Sequence, residues 1–237
     1  MILEKSPEKA IELAKKDIGT VYGKAEDCIK GADLVILAVK PQDSPALFDY
    51  IRPLISEQQL FLSIMAGVKI ATISQALNAK KIIRAMPNLP AQIGMGMTAY
   101  TSSDEVTRIE LVMVQNLLNT TGKAVYVESE ESIDAATAIS GSGPAYVWFF
   151  MDAMMEAARS MGFSTSESEL LVSQTFRGAV ELYNKADFSC EEWIKRVSSR
   201  GGTTEAAMKT YRSNAVHEDI IAGAQAALAR AIELGKK

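Results

Sequence analysis

Two short turns rich in glycine, serine and threonine are the segments of this sequence best suited to holding a small anion. One is SGSGPAY at residues 140–146, the other is SSRGGTTEAAM at residues 198–208, and a helix is predicted after each. The first backbone N–H groups of a helix lack intrahelical partners and carry partial positive charge, which suits a carboxylate. The hydroxyls of Ser142, Thr203 and Thr204 would add neutral donors. Simple helix capping would use one serine or threonine per turn and would leave the doubled glycines unexplained.

Two further loops follow predicted strands. AVKPQ, residues 38–42, ends a nearly continuous aliphatic run, and ligands of open parallel sheets bind at the carboxyl ends of strands. Lys40 would therefore lie where the phosphate or ribose of a cofactor binds. RAMPNLPAQIGMG, residues 84–96, holds Asn88 between prolines and glycines, and such a rigid turn suits an amide that fixes the polar edge of a ligand. Ordinary structural turns would look the same, so that alternative stays open.

The elements that carry these loops alternate between strands and helices up to about Glu128. The strands are predicted at DLVILAV (33–39), LFLSIM (60–65) and the run that ends at Met86, with a helix over 68–77 between the last two. This rhythm predicts a mostly parallel sheet with helical crossovers. The aliphatic run at 33–39 predicts a strand that is buried on both faces.

From Ser132 onward the pattern is helical. Between Gly143 and Gly162 the charged residues Asp152, Glu156 and Arg159 lie on one stripe, and most of the remaining circumference is apolar. Such a helix must be covered on most sides. Few neighbours are available in this region, so we expect a second copy of the chain to cover it.

Composition narrows the function classes. The 237 residues include 25 basic and 29 acidic ones, which leaves no basic surplus for nucleic acid. Cys28 and Cys190 are too isolated for a disulfide framework or thiolate metal cage, and the single His217 excludes sites with several histidines. A Ser-His-Asp arrangement is open only if His217, in the polar start of the last helix, is its base. Neither a signal peptide nor a membrane span is visible, so we expect a cytoplasmic protein.

Five motifs together resemble one family. AVKPQ, SIMAGV, RAMPN, SGSGPAY and V-S-S-x-GGTT occur here in the order typical of pyrroline-5-carboxylate reductases. The resemblance implies reduction of 1-pyrroline-5-carboxylate to L-proline, the last step of proline biosynthesis. It also implies a Rossmann-type (6-phosphogluconate dehydrogenase-like) NADP-binding domain, here N-terminally incomplete over residues 1–129, and an all-α dimerisation and substrate domain over 130–237.

The resemblance also assigns site residues by motif position. Near the adenosine 2′-phosphate it places Lys5 and Ser6, beside the nicotinamide ribose Ala38, Val39, Lys40 and Pro41, and near the nicotinamide Asn88. Around the substrate it places Ser142, Gly201, Gly202, Thr203 and Thr204, with the Thr204 hydroxyl facing the imine nitrogen as the catalytic group. Such a reduction takes its hydride from the cofactor and needs no metal. Glu4 would favour NADH, which stays possible, whereas Lys5 and Ser6 favour NADPH.

The sequence departs from the family pattern at several points. The family usually has threonine at Leu89, proline at Arg200 and an amide at Arg196. No G-x-G-x-x-G occurs, and Met1 to Leu3 corresponds to the end of the family's second strand, so the glycine turn that cradles pyrophosphate is missing. We therefore expect weak NADPH binding by this chain. The alternatives are a non-catalytic remnant that forms a helical dimer, and a related dehydrogenase of another small carboxylate, such as a 3-hydroxy acid.

Overall fold

The larger of the two sheets in the described residues has the strand order β3-β4-β5-β6-β7. Its strands are β3 (Leu34–Leu37), β4 (Leu60–Ser63), β5 (Ile82–Met86), β6 (Gly96–Ser102) and β7 (Gly122–Tyr126). Strands β5 and β6 are antiparallel, and the other neighbours are parallel. A separate parallel pair consists of β1 (Ile2–Leu3) and β2 (Val21–Tyr22). This computed structural model describes residues 1–235.

Helices follow the strands as the sequence predicts and then fill the C-terminal region. They are α1 (Pro7–Lys15), α2 (Ser44–Ile51), α3 (Ile70–Leu77), α4 (Arg108–Asn119), α5 (Glu130–Ala136), α6 (Gly143–Ser160), α7 (Thr165–Tyr183), α8 (Cys190–Val197), α9 (Thr203–Ser213) and α10 (Val216–Leu234). A π-helix, Thr137–Gly141, joins α5 to α6. The last helix begins just before His217, which places this residue in its first turn as predicted.

The sheet has a hydrophobic core on each face. All four residues of β4 are buried, and because side chains alternate along a strand, they serve both cores. Phe61 packs with the helices α2 and α3 through residues such as Phe48 and Ile73. Leu62 lies in the other cluster, which includes Val114 of α4. The sheet is therefore covered by helices on both faces, the layering expected of an α/β fold.

Strand β3 is more exposed than its sequence predicts. We expected burial on both faces, yet Ile36 is 50% exposed and only Leu37 is fully buried. The reason is its position at an edge: β4 pairs with it on one side, and no strand of the described residues pairs with it on the other. An aliphatic sequence shows that a strand can be buried, but whether it is buried depends on the elements that pack beside it.

The structure divides into two units. The first comprises residues 1–141 together with those from Ala227 on, and the second comprises Ser142–Ala226. The predicted division at residues 129 and 130 stays a prediction. Within the second unit α6 packs against α7, yet α6 has no buried residue, and Phe149 is 75% exposed. Over the part of the chain that is described, no helix is long and apolar enough to cross a membrane.

Candidate functional site

The carboxyl ends of β3 and β5 bring two of the predicted cofactor loops to one edge of the sheet. Leu37 is level with Ser63 of β4, and Ser63 with Arg84 of β5, in parallel register. The segment Ala38 to Pro41 leaves this edge directly after β3, with Lys40 exposed. The hydroxyl of Ser44 donates to the Pro41 carbonyl at 2.8 Å and holds the turn.

Asn88, at the end of β5, uses both ends of its amide within the protein. Its Oδ1 accepts a hydrogen bond from the backbone N–H of Met97 at 2.9 Å, and its Nδ2 donates to the carbonyl of Ser140 at 3.0 Å. The side chain thus fastens its own loop to β6 and to the π-helix. The predicted place of Asn88 near a nicotinamide ring stays a prediction. Leu89, which follows, is 54% exposed.

Lys5 and Ser6 lie where β1 leads into α1. Ser6 is the N-cap of this helix, and its Oγ accepts from the N–H of Lys9 at 3.4 Å. The Ser6 N–H donates to Glu4 Oε1 at 2.8 Å, so this carboxylate is engaged by the protein backbone. Lys5 is exposed. A free ammonium group beside a helix N-terminus is a donor set that suits a phosphate.

Ser142 precedes the long helix α6 but does not cap it. The residue has helical backbone angles, φ −83° and ψ −21°, and its side chain makes no capping bond. Within residues 1–235 the hydroxyl of Ser142 has no hydrogen-bond partner, whereas that of Ser140 donates to the Ala136 carbonyl at 2.9 Å. Capping therefore does not explain Ser142. The π-helix just before it is a rare geometry that is frequent at functional sites.

The turn before α9 explains its doubled glycines. Gly201 has a φ of +70°, which favours glycine. A Cβ on Gly202 would collide with Ser199 Oγ and lie 3.0 Å from the Ser199 carbonyl oxygen. Glu205 accepts a 2.6 Å hydrogen bond from the Gly201 N–H, so this one donor of the turn is already engaged.

The two threonines that follow these glycines have side-chain hydroxyls available to a ligand. Thr203 and Thr204 are the first residues of α9, whose N-cap Gly202 has no side chain to offer the helix. Over the described residues neither threonine hydroxyl has a hydrogen-bond partner, and the first N–H groups of the helix lack intrahelical acceptors. Thr204 is half-buried, whereas Thr203 is exposed. No hydrogen bond among the described residues links this turn to Ser142.

Arg196, one of the departures from the family pattern, has a packing role. Its guanidinium carbon lies 3.8 Å from the ring centroid of Phe188 and 5.8 Å from that of Trp193. A cation over an aromatic face gains electrostatic stabilisation. The side chain therefore holds the C-terminal turn of α8 against the segment that precedes this helix. Arg200 is exposed and nothing in the structure explains its presence.

A buried ion cluster that joins β5 to α5 was not predicted from the sequence. Arg84, on β5 and 2% exposed, forms ion pairs with Glu130 and Asp134 of α5 at 2.9 and 2.8 Å. The signal was available, because Arg84 is a cation in an otherwise apolar strand. Next to the cluster, the pKa of Glu131 is lowered by hydrogen bonds from its own backbone N–H and from the Ser129 hydroxyl.

No metal-binding constellation is visible in residues 1–235: no group of three or more His, Cys, Asp or Glu side chains is arranged to hold an ion. The side chain of His217 is 78% exposed, and its Nδ1 lies 4.0 Å from Glu218 Oε1. The predicted cofactor residues offer lysines and an amide, and the predicted substrate residues offer hydroxyls and backbone N–H groups.

Comparisons with known proteins find relatives of both regions. Residues 130–234 match the family model described as pyrroline-5-carboxylate reductase dimerisation. Residues 1–67 match the model described as NADP oxidoreductase, coenzyme F420-dependent. The chain is similar to pyrroline-5-carboxylate reductase 2 of Bacillus subtilis, with 38% identity that covers 80% of this chain and 68% of the relative.

Two solved structures are similar over almost the whole chain. A pyrroline-5-carboxylate reductase from Coxiella burnetii has a TM-score of 0.92 and 32% identity, covering 99% of this chain and 88% of the other. The pyrroline carboxylate reductase of Plasmodium falciparum, solved with NADP bound, has a TM-score of 0.85 and 28% identity over 91% of this chain and 82% of that one. The predicted fold class, a Rossmann-type and mostly parallel sheet with a helical C-terminal region, is confirmed.

Proposed function

Since this chain belongs to the pyrroline-5-carboxylate reductase family, we propose that it reduces 1-pyrroline-5-carboxylate to L-proline with NADPH. The observation that carries the proposal is the turn before α9. Its glycines meet conformational demands, and the hydroxyls of Thr203 and Thr204 have no partner among the described residues. Polar groups held ready without a protein partner suit a polar ligand.

The substrate carboxylate is bound by the N-terminus of α9 in this proposal. Thr203 and Thr204 supply backbone N–H groups that have no intrahelical acceptor, together with their hydroxyls. The partial positive charge of the helix end favours an anion there. Ser142, whose hydroxyl also lacks a partner within residues 1–235, is a further donor to the substrate. Gly201 contributes the shape of the turn, because its N–H is bound to Glu205.

Reduction of the C=N bond requires a proton at nitrogen and a hydride at carbon. The dinucleotide, when bound, supplies the hydride. The Thr204 hydroxyl orients the imine nitrogen and passes it a proton from solvent, and the proton lost from the hydroxyl is replaced by water. Positioned donors of this kind stabilise the charge that develops in a transition state.

Lys5, Ser6 and the loops after β3 and β5 fit a dinucleotide. The exposed ammonium of Lys5 beside the N-terminus of α1 would neutralise the 2′-phosphate that distinguishes NADPH from NADH. Glu4 would otherwise favour NADH through the ribose hydroxyls, but it already accepts a bond from the Ser6 N–H. The segment Ala38 to Pro41 would lie along the nicotinamide ribose, and Asn88 would shape the nicotinamide end through its fixed loop.

The chain assembles as a homodimer, or a multiple of dimers, through its helical region. The exposed apolar side chains of α6, including Trp148 at 52% and Phe149 at 75%, support this. The match of residues 130–234 to a dimerisation family supports it as well. The acidic balance of the sequence argues against nucleic acid as a partner, and the two free cysteines suit a reducing cytoplasm.

The direct test is a reductase assay with a matched substrate. Purified protein is mixed with NADPH and 1-pyrroline-5-carboxylate, and both NADPH oxidation and proline formation are followed. 1-Pyrroline, which lacks the carboxylate, is the control, and we expect its kcat/KM to be at least about 100-fold lower, since the donors that would bind the carboxylate are left unpaired. Absence of proline would favour the non-catalytic alternative, and equal rates with both imines would exclude a carboxylate site at α9.

A further inference from the structure

Arg84 joins strand β5 to helix α5 through two carboxylates. Its Nη1 donates to Glu130 Oε1 at 2.9 Å and its Nη2 to Asp134 Oδ1 at 2.8 Å. The two acids are one helical turn apart and face the same side of α5. Glu130 Oε1 also accepts from the N–H of Ile70, at the start of α3, at 3.0 Å. One cation thus fixes both the position and the rotation of α5.

The position of α5 determines that of the π-helix, because the two are continuous. The hydroxyl of Thr137 donates to the Ile133 carbonyl at 2.8 Å, and that of Ser140 donates to the Ala136 carbonyl at 2.9 Å. Side chains of the π-helix are therefore anchored in the last turn of α5. A movement of α5 would carry the π-helix with it.

A second link joins the same elements farther along β5. Asn88 lies four residues beyond Arg84, and its Nδ2 donates to the carbonyl of Ser140. Between the two links along β5 lies Met86, whose Cε would be at ordinary van der Waals distance, 3.4 Å, from a Cβ placed on Gly141 of the π-helix. Arg84 and Asn88 hold one segment, residues 130–141, at its two ends.

We propose that Arg84 is a positioning residue of the reductase: through Glu130 and Asp134 it holds the π-helix in place, so that Asn88 meets the Ser140 carbonyl. The link from this geometry to catalysis rests on the proposed function. The structural part of the proposal, that Arg84 fixes residues 130–141, depends only on the hydrogen bonds described above.

A purely stabilising role explains the cluster poorly. Buried ion pairs seldom stabilise a fold more than apolar side chains of similar volume, because the charges lose their hydration. The Nε of Arg84 is buried and has no hydrogen-bond partner among the described residues, which adds a further cost. A directional contact that selects one arrangement of α5 accounts for such a group better than packing does.

Hydrogen–deuterium exchange tests the positioning without requiring any activity. In Arg84→Met we expect the amides of residues 137–141 to exchange about tenfold faster, since local opening becomes easier. Lys81→Met is the matched control, because Lys81 makes a 2.8 Å ion pair with Glu110 that does not involve α5. Unchanged exchange at 137–141 in Arg84→Met, or an equal rise in Lys81→Met, would overturn the proposal.

Asp134→Asn is a milder variant that tests the same link if Arg84→Met does not fold. The asparagine keeps the shape and an acceptor oxygen for Arg84 but removes the charge, and Glu130 still balances the cation. We expect a smaller rise in exchange confined to the same residues. Exchange like that of the unsubstituted protein in this variant would count against the proposal even if Arg84→Met cannot be purified.

The effect of Arg84 on catalysis is measured as turnover per NADPH-binding site. This quantity counts only molecules that bind NADPH, so a loss of folded protein does not change it. Arg84→Met should lower it by about 10–100-fold, the usual result of small misplacements at a reacting centre. Arg84→Lys should be intermediate, and Lys81→Met should be unaffected. Unchanged turnover per site in Arg84→Met would overturn the proposal. If the unsubstituted protein makes no proline, the proposed function fails while the exchange experiment still decides the positioning.

Discussion

The sheet region and the helical region differ in how far their side chains find partners within the chain. In the sheet region Phe61 is fully buried, and the amide of Asn88 is bonded at both ends. In the helical region α6 has no buried residue. The hydroxyls of Ser142 and Thr204 likewise have no partner among the described residues. The sheet region has buried cores of its own, whereas the helical region presents a long helix without a buried residue together with hydroxyls that have no partner among the described residues.

This difference shows which parts of the function depend on other molecules. Large contiguous apolar surfaces mark interaction sites, and free hydroxyls at a helix N-terminus suit a ligand. The sheet region can therefore be expected to fold around its own core. We expect the helical region to bind a second copy through its apolar faces and a substrate through its hydroxyls.

The largest effect is expected where a charge is placed on the uncovered face of α6. Phe149→Glu should convert the dimer to a monomer, because each dimer loses two apolar contacts and has to bury two carboxylates. Weakening of the dimer by about 10³-fold or more follows from that burial cost. Sedimentation at micromolar concentration measures it.

The control for that experiment lies in the sheet region. Ile109 of α4 is 83% exposed, so Ile109→Glu adds the same charge to another exposed apolar site. The mass of this variant should stay that of a dimer. A dimeric Phe149→Glu would contradict the assignment of α6 to the interface. A monomeric unsubstituted protein would contradict the expectation that a second copy covers the helical region.

The next effect concerns the core of the sheet. Phe61→Ala should lower the free energy of unfolding by about 3–5 kcal/mol, because a cavity replaces a large buried ring. Phe149→Ala should act differently and change stability only in proportion to the dimer that is lost. Urea unfolding at two protein concentrations distinguishes the two variants. If the loss of unfolding free energy in Phe61→Ala depended on protein concentration, the sheet region would also rely on a partner.

Thr204→Val tests whether the free hydroxyls serve the reaction. Turnover should fall by about 10²–10³-fold, or about 2.7–4 kcal/mol, as for the loss of one positioned donor. Unfolding should change little, because the hydroxyl has no partner among the described residues. Thr210→Val in the same helix is the control, since the Thr210 hydroxyl bonds only to the Ala206 carbonyl at 3.2 Å. Equal turnover in the two variants would assign no chemistry to Thr204.

A smaller effect is expected at Lys5, an exposed cation beside the N-terminus of α1. Lys5→Ala should reduce the preference for NADPH over NADH, measured as the ratio of kcat/KM values, by about tenfold, which corresponds to one charge-assisted contact of about 1.4 kcal/mol. Lys15→Ala, at the far end of α1, should leave the ratio unchanged. A ratio that is unaltered in Lys5→Ala would remove Lys5 from the phosphate site.

The local structure was largely accessible from the sequence, and the partners of individual side chains were not. The burial of β4 follows from its composition, and Ser6 as the cap of α1 follows from the Ser-Pro-Glu order. Ile36 was wrongly expected to be buried, because burial also depends on the neighbours of a strand, and β3 is paired on one side only among the described residues. Asn88 could be singled out as an amide in a rigid turn, but its acceptor at Ser140 is 52 residues away.

The ion cluster at Arg84 also has a consequence for the kinetics of folding. Its cation and its acids are 46 and 50 residues apart in sequence, so the intervening loop must close before they can meet. Contacts that form after the transition state govern the rate of unfolding rather than that of folding. We expect the ion cluster to form after the transition state, so that Arg84→Met unfolds faster and refolds at an unchanged rate in stopped-flow experiments. Residues 130–141 would then be the last segment to assemble and the first to open.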